Sequence, residues 1–354
     1  MDIFLIGINH KTAPIEVREK FFLNPLQQDL FLSELKSHPL IAEALVLSTC
    51  NRTEVYVYGL PMPRHMDFFL SLISNIKKSE FLPDVQRHFY SYQNAEAVRH
   101  FLQVTAGLDS LILGEKQIIG QVRNAVERAR QKGMFGRYFN ILSNLALRTA
   151  KKAQNETEIS YGGSSVSWAA MALAENRLTT LEGKSILIIG AGKMGELALE
   201  QIRSKGVRQI YLMNRTETTA QDLARTYSGI AASFCDIKEI LSEVDVCVCS
   251  AGAPHYILDK ITVEKTMALR NHRELILIDI SMPRNIDPAA AQVEGISLFH
   301  IDDLEQVFGE TMRKRQSAVR LVEDIIEGKM TAFYKKISFS ESPELLNQPE
   351  NFLR

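Results

Sequence analysis

Ser185 to Ile189 is a short run that is apolar after its first residue, and it leads straight into Gly190-Ala191-Gly192-Lys193-Met194-Gly195. Helical spacing follows to about Ser204, and a second β-rich run occupies Gln209 to Met213. In a strand, glycine turn, helix, strand sequence the three glycines have separate jobs. The first makes the tight turn, the second lets the backbone approach a pyrophosphate, and the third lets helix and strand pack closely. A lone G-x-G-x-x-G is a weak signal; this one has the flanks that give it meaning. The alternation continues through Val244 to Val248 and Leu275 to Ile280, which predicts an α/β fold with a doubly wound parallel sheet of the Rossmann type. The next strand sets the cofactor. An NAD-binding chain usually ends that strand in Asp or Glu on the ribose 2′-hydroxyl, whereas here Asn214-Arg215-Thr216 stands there, about twenty residues after the glycines. An arginine pairs with a 2′-phosphate through charge-assisted hydrogen bonds, so NADPH is the expected cofactor. The alternative is a structural domain whose Arg215 only faces solvent.

The chain of 354 residues has room for two or three such units. Its opening alternates short strands and helices: Ile3 to Ile8 is β-rich, Leu26 to Ser37 has helical spacing, Ala44 to Leu47 runs apolar into Ser-Thr-Cys-Asn, and Val55 to Tyr58 alternates again. This predicts a small α+β unit. From Ala95 to Asn155 the spacing is helical, with Gly107, Gly114 and Gly133 as breaks, and Gly162-Gly-Ser-Ser165 punctuates its end. Asp302 to Lys336 reads as one long charged helix with a loose tail behind it. The expected division is therefore 1–160, an N-terminal α+β catalytic domain; 161–301, the nucleotide-binding domain; and 302–354, a C-terminal helix and tail.

Composition excludes little beyond the extremes. With 45% hydrophobic and 23% charged residues the chain is an ordinary globular protein. No apolar run reaches the ~20 residues of a bilayer span, and the start lacks a basic leader region, so the protein is expected in the cytoplasm with no membrane contact. A net charge of −1 argues against holding nucleic acid by bulk charge. Yet Lys116 to Asn155 carries nine basic residues against the single acidic Glu127. That segment is either a solvated helix face or a surface for phosphates.

The four cysteines show no metal-site spacing, and a disulfide framework is unexpected in the cytoplasm. Cys247 and Cys249 alternate on a buried-type strand and read as core, as does Cys235. Cys50 differs, because it follows an apolar strand and precedes Asn51-Arg52. A neighbouring fixed positive charge lowers a thiol's pKa and favours the nucleophilic thiolate. On chemistry alone Cys50 is either a nucleophile or a buried thiol.

Five motifs, taken in order, resemble those of glutamyl-tRNA reductases: Gly7-Ile-Asn-His-Lys-Thr-Ala-Pro14, Ser48-Thr-Cys-Asn-Arg-Thr-Glu54, Gly107-Leu-Asp-Ser-Leu-Ile-Leu-Gly-Glu-Lys-Gln117 with Gln121, Gly190 to Gly195, and Asn214-Arg-Thr216. The resemblance implies that Cys50 attacks the aminoacyl ester and that His100 is important for catalysis. It implies substrate binding by Thr49, Asn51, Arg52, Ser110, Glu115, Lys116, Gln117 and Gln121. Arg52 could then hold the substrate carboxylate bidentately, and a helix starting near Gly114 would bring Gln117 and Gln121 onto one face. The implied reaction is reduction of a Cys50 thioester by NADPH to glutamate-1-semialdehyde, for tetrapyrrole synthesis, with domain closure and no metal. Implied partners are glutamyl-tRNA(Glu) and the glutamate-1-semialdehyde aminomutase that would receive the product. A shikimate-type dehydrogenase shares the glycine turn and Asn-Arg-Thr but leaves Thr-Cys-Asn-Arg and the Ser110 to Gln121 block unexplained. A binding module for NADPH and tRNA is the non-enzymatic rival. Members of the family carry a longer helical dimerisation region than this chain. The stripe Val307, Phe308, Val319, Val322, Ile325, Ile326 and Phe333 could pack on the chain's own domains or on a second copy, and a monomer or weak homodimer is expected.

Overall fold

In chain order the strands are β1 (Asp2–Asn9), β2 (Ile41–Ser48), β3 (Arg52–Gly59), β4 (Tyr90–Gln93), β5 (Ser185–Ile189), β6 (Gln209–Met213), β7 (Ile230–Ala231), β8 (Val246–Cys249), β9 (Leu275–Asp279) and β10 (Ile296–His300). The computed structural model describes residues 1–62, 65–79, 83–162, 165–307 and 309–341. They form two compact units. Of the described residues, one unit holds those in 1–14, 23–161 and 311–341, and the other those in 15–22 and 162–310.

The first unit is built on an antiparallel sheet of order β2-β3-β1-β4. Ile3, Leu5, Leu45, Leu47 and Tyr56 point into one core, while Phe4, Ile6, Val46, Val55 and Val57 are also buried, so both sheet faces are covered. The helical stretch breaks at the three expected glycines into Asn94–Thr105, Gln117–Gln131 and Arg137–Glu156. Gly107, Gly114 and Gly133 all have positive φ, which a side chain disfavours. At Gly114 a Cβ would also lie 1.8 Å from the Ile159 carbonyl oxygen.

The helix Gly309–Glu341 is a correction to the expected three-part division. It is not a domain of its own: Ala318, Val322, Ile326, Met330 and Phe333 lie in the core of the first unit. Buried Arg315 donates to the carbonyls of Leu113 at 3.1 Å and Tyr161 at 3.0 Å. Of the expected stripe, Val322, Ile326 and Phe333 are core and Val319 packs against it, while Ile325 is half-buried outside it; Phe308, the tail from 342, and Gly163 and Ser164 at the expected boundary lie outside the described residues.

The second unit carries six parallel strands in the order β10-β9-β8-β5-β6-β7. Read from the other edge, this is the doubly wound order whose direction reverses between β5 and β8, where ligands bind in such sheets. Residues 15–22 join this unit although they precede it by about 140 residues. Arg284 pairs with Glu19 at 2.7 Å and Glu16 at 2.9 Å, and Arg18 pairs with Asp302 at 2.6 Å. Among the described residues no helix is long and apolar enough to cross a membrane.

Phe333 is fully buried and meets Tyr138 edge-on, with ring centroids 5.4 Å apart. Phe333→Ala is expected to destabilise the first unit by about 3–5 kcal/mol, as core aromatic truncations do. Urea unfolding checks this, and a loss below about 1 kcal/mol would place the helix outside the core.

Candidate active site

Strands β2 and β3 pair from Ile41 opposite Gly59 to Ser48 opposite Thr53, leaving Thr49-Cys50-Asn51 as the connecting turn. Thr49 N–H donates to the Arg52 carbonyl at 2.8 Å, and Asn51 N–H donates to Thr49 Oγ1 at 3.2 Å. The turn is thus closed by its own polar groups, with half-buried Cys50 at its tip.

Beyond the turn, the two-residue period of a strand places Arg52, Glu54 and Tyr56 on one face. Glu54 is completely buried and collects four donors. Its Oε1 accepts from Arg52 Nη1 at 2.7 Å, His100 Nε2 at 2.8 Å and Tyr90 OH at 2.6 Å; its Oε2 accepts from Tyr56 OH at 2.7 Å. Burial alone would raise this carboxyl, but Arg52 and His100 outweigh it and hold Glu54 well below the usual carboxylate range. With Glu54 ionised, His100 Nε2 must carry the proton. Gly7 makes room for this network, because a Cβ there would lie 2.6 Å from the Tyr90 ring.

Asp109 closes the other side of Arg52. It accepts from Arg52 Nη1 at 2.9 Å and Asn9 Nδ2 at 3.2 Å, pairs with Lys11, and its backbone carbonyl accepts from Arg52 Nη2. Both terminal nitrogens of Arg52 are engaged within the protein, so the expected bidentate grip on a substrate carboxylate would require Asp109 to let go. Glu54, His100 and Asp109 also lie close enough to suggest a metal cluster. Arg52 and Lys11 already neutralise the two carboxylates, which leaves no anionic donor set for a cation.

Cys50 opens on a small cavity lined with Thr49, Asn51, Arg52, Ser110, Glu115, Ile118 and Gln121. Two stretches distant in the sequence, 49–52 and 110–121, thereby meet at one cavity. Its volume is about 10 Å³, room for no more than a water molecule, so a glutamyl group enters only if the walls part. Among the described residues, the buried acceptor Asn51 Oδ1 on the cavity and the buried donor Gln117 Nε2 on the neighbouring helix have no hydrogen-bond partner. Gln117 and His100 do not line the cavity, and Lys116 is exposed. Glu115 is 5% exposed, and burial pushes its carboxyl up to about 7 despite Arg52.

In the second unit a cleft of about 550 Å³ lies at the C-terminal ends of β5 and β8. Gly190, Gly192, Asn214 and Arg215 line it, with Phe234 and residues 250–257. The glycines fit their expected jobs. Gly190 has φ +106° and sits where a Cβ would lie 2.8 Å from Ala251 N; a Cβ on Gly195 would lie 2.0 Å from the Gly190 carbonyl; and Gly192 faces open space that suits a pyrophosphate. Ala191 N–H donates to Asn214 Oδ1 at 3.2 Å, so Asn214 also holds the turn. Arg215 is exposed at the cleft and makes no ion pair among the described residues, which suits a 2′-phosphate. Lys193, Met194 and Thr216 do not line the cleft; Lys193 pairs with Glu196 at 2.9 Å, and Met194 accepts from Ser167 Oγ through its carbonyl.

Sequence reasoning missed the wall of this cleft. Asp279 accepts the backbone N–H groups of Ser281, Asn285 and Ile286, and Asn285 Nδ2 in turn donates to the Ala253 and His255 carbonyls. Cys247 and Cys249 are fully buried beside it, and burial with Asp279 nearby pushes both thiols up, leaving them inert core groups. Cys235, expected in the core, is exposed.

Residues 6–157 match the family model of the glutamyl-tRNAGlu reductase N-terminal domain, and residues 172–307 match that of shikimate / quinate 5-dehydrogenase. The chain is 38% identical over 352 residues to the glutamyl-tRNA reductase of Thermodesulfovibrio yellowstonii, covering 97% of this chain and 81% of that one. Identity to the Bacillus subtilis glutamyl-tRNA reductase is 38% over 336 residues, covering 94% and 73%. The solved glutamyl-tRNA reductase from Methanopyrus kandleri superposes with a TM-score of 0.54 at 30% identity, covering 97% of this chain and 82% of that one.

Glu115 makes a pH prediction of definite sign. Between its ordinary value of 4.5 and about 7 the folded chain keeps a proton that the unfolded chain releases, so this group's contribution to stability falls as pH rises through that window. Glu54 and Asp109, both held low, act oppositely and only below the ordinary carboxylate range, where acid removes their contribution. Glu115→Gln is therefore expected to gain roughly 3 kcal/mol over the parent between pH 4.5 and about 8. Urea unfolding of both proteins at the two ends of the range measures it, and parallel pH curves would contradict the assignment.

Proposed function

The chain belongs to the glutamyl-tRNA reductase family, and we propose that Cys50 is the thiol that takes the glutamyl group from tRNA, with NADPH as the reductant. The reaction converts glutamyl-tRNA to glutamate-1-semialdehyde and is the first step of tetrapyrrole synthesis. The carrying observation is the convergence on one cavity of the hairpin thiol with Ser110, Glu115 and Gln121.

The sulfur of Cys50 attacks the ester carbonyl, the S–C bond forms, and the ribose oxygen of the tRNA leaves. A thioester keeps the acyl group activated after the tRNA has gone. When bound, NADPH supplies the hydride that turns this thioester into the aldehyde. Ser110 and Gln121 offer neutral hydrogen bonds to the glutamyl group, while Asn51 Oδ1 and Gln117 Nε2 supply one unused acceptor and one unused donor. Arg52 keeps a fixed positive charge beside the turn, and His100 positions Glu54 beneath it from outside the cavity.

The Gln117–Gln131 helix supports tRNA binding at this site. It contributes Ile118 and Gln121 to the cavity and exposes Arg123 to solvent, just after exposed Lys116. Arg148 and Lys151 are exposed further along the basic segment, with Lys152 exposed but paired with Glu156, whereas Arg128 and Lys132 are paired with Asp29. With Val322, Ile326 and Phe333 of the long helix spent inside its own unit, we read the chain as a monomer or weak homodimer.

Purified protein given glutamyl-tRNA and NADPH is expected to form the semialdehyde. Cys50→Ser should abolish it, while Cys247→Ser should change stability alone. Semialdehyde formation by Cys50→Ser at the parent rate would rule out the thioester.

Arg215→Ala is expected to raise the KM for NADPH about tenfold or more with little change for NADH, the size of one lost charge-assisted contact. Equal effects on the two cofactors would remove the 2′-phosphate assignment.

A further inference from the structure

Attack by a thiol on an ester has two protons to manage. The S–H proton must leave as sulfur bonds to carbon, and the departing ribose oxygen must gain one. Resting on the reading of Cys50 as nucleophile, we propose that Glu115 carries that proton: its carboxylate takes it from the Cys50 thiol as the S–C bond forms, and the resulting acid gives it to the ribose oxygen as the C–O bond breaks. The step consumes no net proton and needs no co-reactant.

The geometry favours Glu115 over the other titratable groups. Glu115 lines the same small cavity as Cys50, whereas His100 does not and is turned towards Glu54. Asp109 and Glu54 are already committed to Arg52, with Lys11 as a second cation on Asp109. The two cations and two carboxylates of that network balance one another, and the pull of Arg52 that still reaches Glu115 is outweighed by burial. Among the described residues its carboxyl makes no hydrogen bond, which leaves both oxygens available for transfer.

Among the described residues the groups that share the cavity with Glu115 are few. Cys50 and the neutral Thr49 and Asn51 come from the hairpin turn, Arg52 from β3, the neutral Ser110 from the preceding loop, and the neutral Ile118 and Gln121 from the helix Gln117–Gln131. Arg52 is the cation that acts on it, and burial outweighs that pull. A carboxyl poised near neutral pH is suited to both accepting and donating a proton.

Single-turnover acylation of the full chain by labelled glutamyl-tRNA, without nicotinamide nucleotide, reads this step alone. In the wild type, acylation is expected to rise with pH through about 7, with a normal solvent deuterium isotope effect on its plateau. Glu115→Gln should acylate about 100- to 1,000-fold more slowly at saturating tRNA and lose that pH limb. Glu115→Asp should keep the limb at a reduced rate. The proposal is overturned if Glu115→Gln keeps the wild-type plateau and limb and only needs more tRNA to saturate, as a substrate-binding carboxylate would require. Absence of the isotope effect in the wild type overturns it too, whether or not the variants fold. Aldehyde formation by Cys50→Ser would overturn the nucleophile reading together with this one, whereas an acylating Glu115→Gln at wild-type rate overturns this one alone.

Discussion

The ion pair between Arg52 and Glu54, buried at 3% and 0% exposure, organises everything around the thiol. Charges taken out of water are tolerated only when paired and hydrogen-bonded, and removing one partner typically costs about 3–5 kcal/mol because the other is left uncompensated. The pair recruits partners accordingly. Tyr56 and Tyr90 from the sheet, His100 from the Asn94–Thr105 helix, and Asp109 from the loop beyond it all close on the two charges. One consequence is positional: the Asp109 carbonyl and carboxylate, both held by Arg52, fix the loop that presents Ser110 next in the chain. The same guanidinium lies two residues from Cys50. A single buried cation thus sets the register between the hairpin turn and the loop facing it.

Much of this was legible in the sequence. The glycine turn between two β-rich runs specified the second unit, because each of its glycines answers a steric demand that the fold imposes: a positive φ at Gly190, a close approach at Gly195, open space at Gly192. Gly107, Gly114 and Gly133 likewise marked the helix breaks. The convergence of Cys50 with Ser110, Glu115 and Gln121 came from motif resemblance, since no local pattern says that residues some sixty positions apart share a cavity.

What was not legible depends on pairings between distant residues. The Ile15–Phe21 helix looks like part of the first unit by position, yet Arg18, Glu16 and Glu19 find their partners at Asp302 and Arg284 in the second. The apolar stripe of the last helix told only that something must cover it, not that the first unit's own core would. The internal partners of Arg52 were hidden for a related reason. An arginine beside a nucleophile invites a substrate carboxylate, and only the arrangement of Glu54 and Asp109 shows its fork already filled. The alternation of Arg52, Glu54 and Tyr56 along one strand face was the available signal, because a charged pair on a buried face has to be satisfied internally.

The site holds two buried carboxyls in opposite states, and one cation explains both. Glu54 meets Arg52 directly and collects three further donors, so it stays ionised; Glu115 feels the same guanidinium but receives no hydrogen bond, so burial prevails and keeps its proton to about pH 7. Groups pushed apart in this way can divide labour, one as permanent charge and the other as proton carrier. The division depends on Asp109 remaining with Arg52. Were a substrate carboxylate to displace Asp109, Arg52 would keep its charge balance, but Asp109 would lose the nearer of its cations and be left with Lys11 and Asn9 alone. An incoming anion at Arg52 would then raise the proton affinity of Asp109 and Glu115 together, so substrate binding and proton uptake at this site are coupled through the charge that Arg52 can satisfy only once.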